Sequence, residues 1–218
     1  TNRFNESEQM YRMALEIRKR LAKDNPKAYE PGLADSYNNL VNLYYGTHRF
    51  NESEHMCMMA LEIYKRLAED NTQTYEPVLA DSYNNLAILY NDTNRFNESE
   101  QMYKAALEIY KHLAKSNPQA YESDLANCYY NLAILYADTH RFNESEQMHK
   151  MALEIYKRLA EANPQTYEPA LSDSYNNLAI LYENTNRFNE SEQMYKMALE
   201  IRKRLAKDNP KAYEPGLA

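Results

Sequence analysis

"DSYNNLAILYNDTNRFNESEQMYKAALEIYKHLAKSNPQAYESDLA", Asp81 to Ala126, decides how this chain folds, because the rest of the chain is built of copies of it. Within it, the phrase RFNESE stands at Arg3–Glu8, Arg49–Glu54, Arg95–Glu100, Arg141–Glu146 and Arg187–Glu192, 46 residues apart each time. The register holds without insertion or deletion, and Thr1–Ala34 differs from Thr185–Ala218 only at Arg12 versus Lys196. A fixed period of this length marks a repeat architecture in which each copy is one small supersecondary unit.

Each copy reads as two helices. In the first, roughly Pro77 to Asp92, Leu79, Tyr83, Leu86 and Tyr90 recur at helical spacing, with Ala87 on an adjoining stripe. Pro77 suits a first turn, where its missing N–H is not needed. The second helix runs roughly from Glu98 to Lys115, with Met102, Ala106, Ile109 and Leu113 as its apolar stripe, widened by Tyr103 and Leu107. RFNESE reads as the start of that helix. Asn97 is the N-cap, Glu100 its capping-box partner, and Glu98 and Glu100 place negative charge at the positive end of the helix dipole. Phe96 fills the elbow. On the outer face Glu62 and Arg66, like Glu154 and Arg158, stand four apart as helical ion pairs. Methionines on the stripe, such as Met13, Met59 and Met151, read as core filler.

The stretch NPQAYESDLA reads as the connector between copies. Asn117-Pro118 stops the long helix, because the residue before proline avoids the α region. Asn25-Pro26, Asn163-Pro164 and Asn209-Pro210 do the same, and Asn71-Thr72 is the exception. Tyr29, Tyr75, Tyr121, Tyr167 and Tyr213 follow in register and pack over the joint.

Composition narrows the function classes. Across 218 residues, 44% hydrophobic and 26% charged content fits a folded, water-exposed chain rather than a disordered one. The net charge of −7 argues against nucleic acid and anionic membrane as partners, since both need a basic surface. No apolar run approaches the ~20 residues that span a bilayer. Cys57 and Cys128 sit at different repeat positions, as scattered thiols in a reducing compartment do, and a cytoplasmic location is expected. Cys57 replaces Tyr103 at a packing position and reads as a buried thiol. The five histidines lack metal-ligand spacing and read as exposed polar residues. Every carboxylate recurs with the period, so none stands out as half of a catalytic pair. NES also spells a glycosylation sequon, but a capping Asn97 and a small packing Ser99 account for it.

Tyr83, Asn85-Leu86, Ala87, Tyr90, Phe96, Ser99, Tyr103 and Ala106-Leu107 together resemble the tetratricopeptide repeat. The match recurs from Tyr37, Tyr129 and Tyr175, with a half-unit before the first, and the long unit is similar to the kinesin light chain-like branch. The resemblance implies an all-α fold: a right-handed α-α superhelix, or solenoid, of antiparallel helix pairs with about nine helices. It implies one array over residues 1–218, with a half-unit at 1–34, full units starting near 35, 81, 127 and 173, and a last linker at 208–218.

The same resemblance implies a non-enzymatic interaction scaffold with no cofactor and no metal, whose first helices line a concave groove for an extended peptide. The positions carried over are Asp35, Asn38 and Asn42; Asp81, Asn84 and Ile88; Asn127, Tyr130 and Ile134; and Asp173, Asn176 and Ile180. Asparagine amides both donate and accept, so they suit a peptide backbone, and the aspartates favour a basic ligand. Where chaperone-binding members carry lysine, this chain has Asp81 and Asn84, so a carboxylate would meet the negative charge of the aspartate. For the inner set Asn39, Asn85, Asn131 and Asn177, a hydrogen bond to the neighbouring unit's backbone is the competing reading. A second function class is also open: a structural array that stacks head to tail, its open ends of like sequence making contacts that need not close.

Overall fold

The computed structural model describes the backbone of residues 2–208 and the side chains of residues 4–207. Asn209-Pro210, Tyr213 and the terminal Pro215-Gly216-Leu217-Ala218 of the expected linker lie outside the described residues. Those described form nine α-helices and no strand: α1 (Asn2–Asp24), α2 (Pro26–Gly46), α3 (Phe50–Asp70), α4 (Thr72–Asp92), α5 (Phe96–Ser116), α6 (Pro118–Asp138), α7 (Phe142–Ala162), α8 (Pro164–Asn184) and α9 (Phe188–Asp208). The chain divides into two compact units, residues 1–109 and 110–218. In the first, α1 packs on α2, α2 on α3 and α3 on α4; in the second, α6 packs on α7, α7 on α8 and α8 on α9.

The helices are longer than their periodicity implied, and the connections correspondingly shorter. The helix expected from Pro77 begins at Thr72, so Pro77 lies inside α4. Asn71 makes this possible. Its N–H closes α3 on the Leu67 carbonyl at 2.8 Å, while its carboxamide oxygen accepts from the Thr74 N–H at 3.1 Å and opens α4. Pro77 then deprives the Gln73 carbonyl of its helical donor. In exchange the extra turn brings Tyr75 against the core. Asn25, Asn117 and Asn163 cap in the same way, accepting from Ala28, Ala120 and Thr166. The ten-residue connector is therefore one residue long. Of the tyrosines expected over this joint, Tyr75, Tyr121 and Tyr167 are half-buried, whereas Tyr29 is exposed.

The other connection is a three-residue turn closed by a residue with positive φ: His48, Asn94, His140 and Asn186, all at φ 58–59°. Asn and His tolerate this left-handed conformation better than most side chains. At the first such turn the Arg49 N–H reaches the Tyr44 carbonyl at 2.8 Å and the His48 N–H reaches Tyr45 at 3.0 Å, the two bonds of a Schellman closure. With the preceding helix closed this tightly, the next starts directly after the arginine. Arg49 and Arg141 are thus the N-caps of α3 and α7, without a side-chain cap bond, and the expected Asn97 cap with its Glu100 partner is not formed. Asn97 lies one residue inside α5 and is exposed.

Small residues permit the close packing. Ala34, Ala60, Ala80, Ala87, Ala106, Ala126, Ala133, Ala152 and Ala179 are all fully buried. Ser53, Ser99 and Ser145 are equally buried, and each donates its hydroxyl to a carbonyl 12 residues earlier: Val41 at 3.1 Å, Ala87 at 2.7 Å and Ala133 at 2.8 Å. This is the work of the serine in RFNESE. Tyrosines and leucines such as Leu40, Tyr64, Leu132 and Leu178 fill the space around them. The methionines depart from expectation. Met59 packs partly on the core, but Met13 and Met151, at the same register, are exposed.

Candidate functional site

The expected ligand-facing residues lie on the first helices of the pairs, and the structure places them unequally. In the first unit Asp35, Asn42 and Asp81 are exposed, while Asn38, Asn84 and Ile88 are half-buried. Asp35 accepts a hydrogen bond from the Tyr64 hydroxyl at 2.8 Å, and the Asn38 amide donates to the same hydroxyl at 3.3 Å. Burial, and then this bond to Asp35, push the Tyr64 phenol well above its usual pKa, so it stays a neutral donor. Asp35 and Asn38 are therefore partly engaged by α3, and Asn42 presents its amide outward.

In the second unit Asn127 and Asp173 are exposed and Tyr130, Ile134 and Asn176 half-buried; Ile180 is 41% exposed. Asn127 accepts from the Tyr156 hydroxyl at 2.5 Å, and Asp173 stands 3.3 Å from the Arg202 guanidinium. Tyr130 accepts from the Asn177 amide at 2.6 Å and meets the His149 ring edge to face at 5.9 Å. Of the inner asparagines, Asn39 and Asn85 are exposed. These two offer their amides to solvent instead of holding a neighbouring backbone, and Asn177 bonds a side chain.

Asn42 and Ile88 come together at a cavity of about 140 Å³ whose wall also includes Val41, Tyr45, Ser53, Cys57, Asn85 and Leu89. Asn42, Tyr45 and Asn85 are exposed, whereas Val41, Ser53, Cys57 and Leu89 are buried, so the cavity has a polar mouth on the first helices and an apolar floor. The Cys57 thiol is 1% exposed, and burial pushes its pKa up to about 12, as expected of a packing thiol. Cys128 is equally buried and likewise pushed up to about 12.

Three features escaped sequence reasoning. One is that RFNESE links successive copies through its first and last residues. Arg95 bonds Glu54 of the copy before at 2.7 and 2.8 Å, reaches Glu98 at 3.1 Å, and lies 4.1 Å over the Tyr90 ring. Arg49 repeats this with Glu8, Glu52 and Tyr44, and Arg187 with Glu146, Glu190 and Tyr182. Burial raises the Glu146 pKa, but hydrogen bonds from Arg187, Lys150 and Tyr182 outweigh it and bring it down to about 2. The signal lay in the 41-residue spacing between each arginine and the earlier glutamate. A second ladder joins Arg66 to Glu30, Arg158 to Glu122 and Arg204 to Glu168, 36 residues apart.

His149 is the second. It was expected to be exposed, yet it is 2% exposed, its Nδ1 has no hydrogen-bond partner, and burial lowers its pKa to about 4. The signal was its register, the same as that of Tyr103, where the fold demands a buried ring. Third are two larger cavities at matching register on the second-helix side. One, of about 780 Å³, lies between α1 and α3 over Leu40 and Tyr44. The other, of about 710 Å³, lies between α7 and α9 over Leu178 and Tyr182.

Helix pairs of fixed register, joined by recurring ion pairs and presenting amides and apolar side chains along their first helices, define a helical-repeat scaffold. Tetratricopeptide repeat models match residues 32–112 and residues 1–26, 125–165 and 171–210. The chain belongs to the tetratricopeptide repeat family. No curated protein matches it.

Among solved structures it is similar to BtubC (BKLC) from P. vanneervenii, at 24% identity and a TM-score of 0.71, over 92% of this chain and 74% of that one. It is also similar to the nearly identical TPR-like repeats of a Podosopora anserina putative kinesin light chain, at 16% identity and a TM-score of 0.63, over 95% and 92% of the two chains. A third is aspartyl phosphate phosphatase F from Bacillus subtilis, at 16% identity and a TM-score of 0.65, over 90% and 50%. At these identities the likeness is one of fold. The family's repeats generally serve as non-catalytic platforms for protein interaction. Among the described residues, no helix is long and apolar enough to cross a membrane.

Proposed function

We propose that the chain binds an extended segment of a partner protein along the first helices of its pairs. The observation that carries this reading is the mouth of the 140 Å³ cavity, where the exposed amides of Asn42 and Asn85 flank an apolar opening at Ile88. An amide on each side can pair with a peptide N–H and C=O whatever the peptide's sequence, and the apolar floor can hold a side chain. Asp35 and Asp81 are exposed on the same two first helices, so a segment carrying Lys or Arg is favoured. In the second unit Asn176 and Ile180 supply a second stretch of the same character, with Asp173 already facing Arg202.

The test is selection from a random peptide library on the immobilised protein, repeated with Asn42, Asn85 and Asn176 changed to alanine. Basic peptides enriched on the parent and lost on the triple variant support the reading. Equal enrichment on both proteins places the ligand elsewhere.

A further inference from the structure

One position of the repeat changes its residue type along the chain. Tyr11, Cys57, Tyr103, His149 and Tyr195 share it. At Tyr103 and His149 the ring is 2% exposed, so a full ring is what this place encloses inside the array. At Cys57 the ring is missing and the space persists as the 140 Å³ cavity. The neighbours have not collapsed into it. Tyr45, a large side chain on its wall, is tied by its hydroxyl to Asp92 and stacks edge-on against Phe50 at 5.9 Å, so it stands at the mouth instead of filling the floor. A tyrosine at this register can reach that wall: the Tyr195 hydroxyl meets Glu183, 12 residues back, which is the offset of Tyr45 from Cys57.

We propose that the cavity over Cys57 is a side-chain subsite that takes an aromatic residue of the bound partner segment, replacing the ring this copy lacks. The inference rests on the reading of the first helices as the binding face. A dry apolar cavity of about 150 Å³ accepts a benzene ring, so the volume is adequate. Cys57 and Leu89 give the ring an apolar floor, Tyr45 offers an edge-to-face partner, and Asn42 and Asn85 stand where the segment's backbone passes. In the second unit His149 occupies this place, so the subsite belongs to the first unit and sets the register of the segment.

Toluene and 4-methylphenol are the probes, titrated into the isotope-labelled protein while backbone amide shifts are followed. Saturable shifts at Cys57, Asn85 and Ile88 are expected. Cys57→Ser, which keeps the space, should retain them, and Cys57→Tyr, which restores the sibling ring, should weaken binding roughly tenfold or more. No saturable shift near Cys57 in the parent overturns the subsite, and this measurement needs no variant to fold. Equal binding to Cys57→Tyr, with its helical circular dichroism intact, overturns it as well. The peptide selection separates the two claims. Parent-selected peptides with an aromatic at one fixed position, absent from those selected on Cys57→Tyr, support the occupant. Selection without that preference overturns it and leaves the binding face standing. Toluene binding without any peptide selection upholds an apolar ring pocket and overturns the segment reading.

Discussion

Replacing His149 by tyrosine, the residue its register holds at Tyr103, should remove an acid sensitivity built into the second unit. The parent imidazole is 2% exposed, with Nδ1 unbonded and the Tyr130 ring against it. Burial lowers its pKa to about 4, whereas an unfolded histidine titrates near 6.5. The folded state therefore binds the proton more weakly than the unfolded state does. The histidine's contribution is intact above pH ~6.5 and is lost as the pH falls toward 4. Integrating the two titrations, the parent should lose roughly 2 kcal/mol at pH 5 and 3 kcal/mol at pH 4 relative to pH 7.5.

Other groups titrate in the same window, but Glu146, one turn before His149, is already held at about 2, and the remaining carboxylates are common to both proteins. The assay is urea unfolding followed by circular dichroism at pH 7.5, 5 and 4 for the parent and His149→Tyr. The difference between the two proteins should widen by about those amounts as pH falls. Parallel pH dependences would refute the argument, because they would mean that the imidazole is as free to take a proton when folded as when unfolded.

Arg95→Ala removes a guanidinium shared by Glu54 and Glu98 and stacked on Tyr90. As Arg95 is 39% exposed, a loss of about 1–2 kcal/mol is expected, partly screened by salt, and Arg95→Lys should recover only part of it in thermal melts. Ala87→Leu crowds a fully buried contact beneath the Ser99 hydroxyl and should cost about 1–3 kcal/mol, read as a fall in melting temperature; an unchanged melt would contradict the packing. Cys57 and Cys128, buried and with pKa values near 12, should resist a thiol-directed disulfide reagent at pH 7.5 in the folded protein and react at once in denaturant; rapid native labelling of both would refute their burial.

The helix pairs, their 46-residue register and the small residues at their contacts are legible in the sequence, because periodicity and residue size are local properties that the chain writes out in order. Cys57 was legible as a buried thiol for that reason: its register said where it packs. The cavity beside it was not legible, since a deletion of ring atoms leaves a hole only if Tyr45 fails to fall into it, and that depends on the Asp92 carboxylate one copy away. RFNESE shows the same division. Its polarity pointed to a helix start, and a helix does start there, but the arginine and the last glutamate serve neighbouring copies, a pairing set by the rise of one helix pair upon the next. His149 carried its register in the sequence and its acid sensitivity only in the fold. Desolvation is a property of everything packed around the ring, and no stretch of chain records it alone.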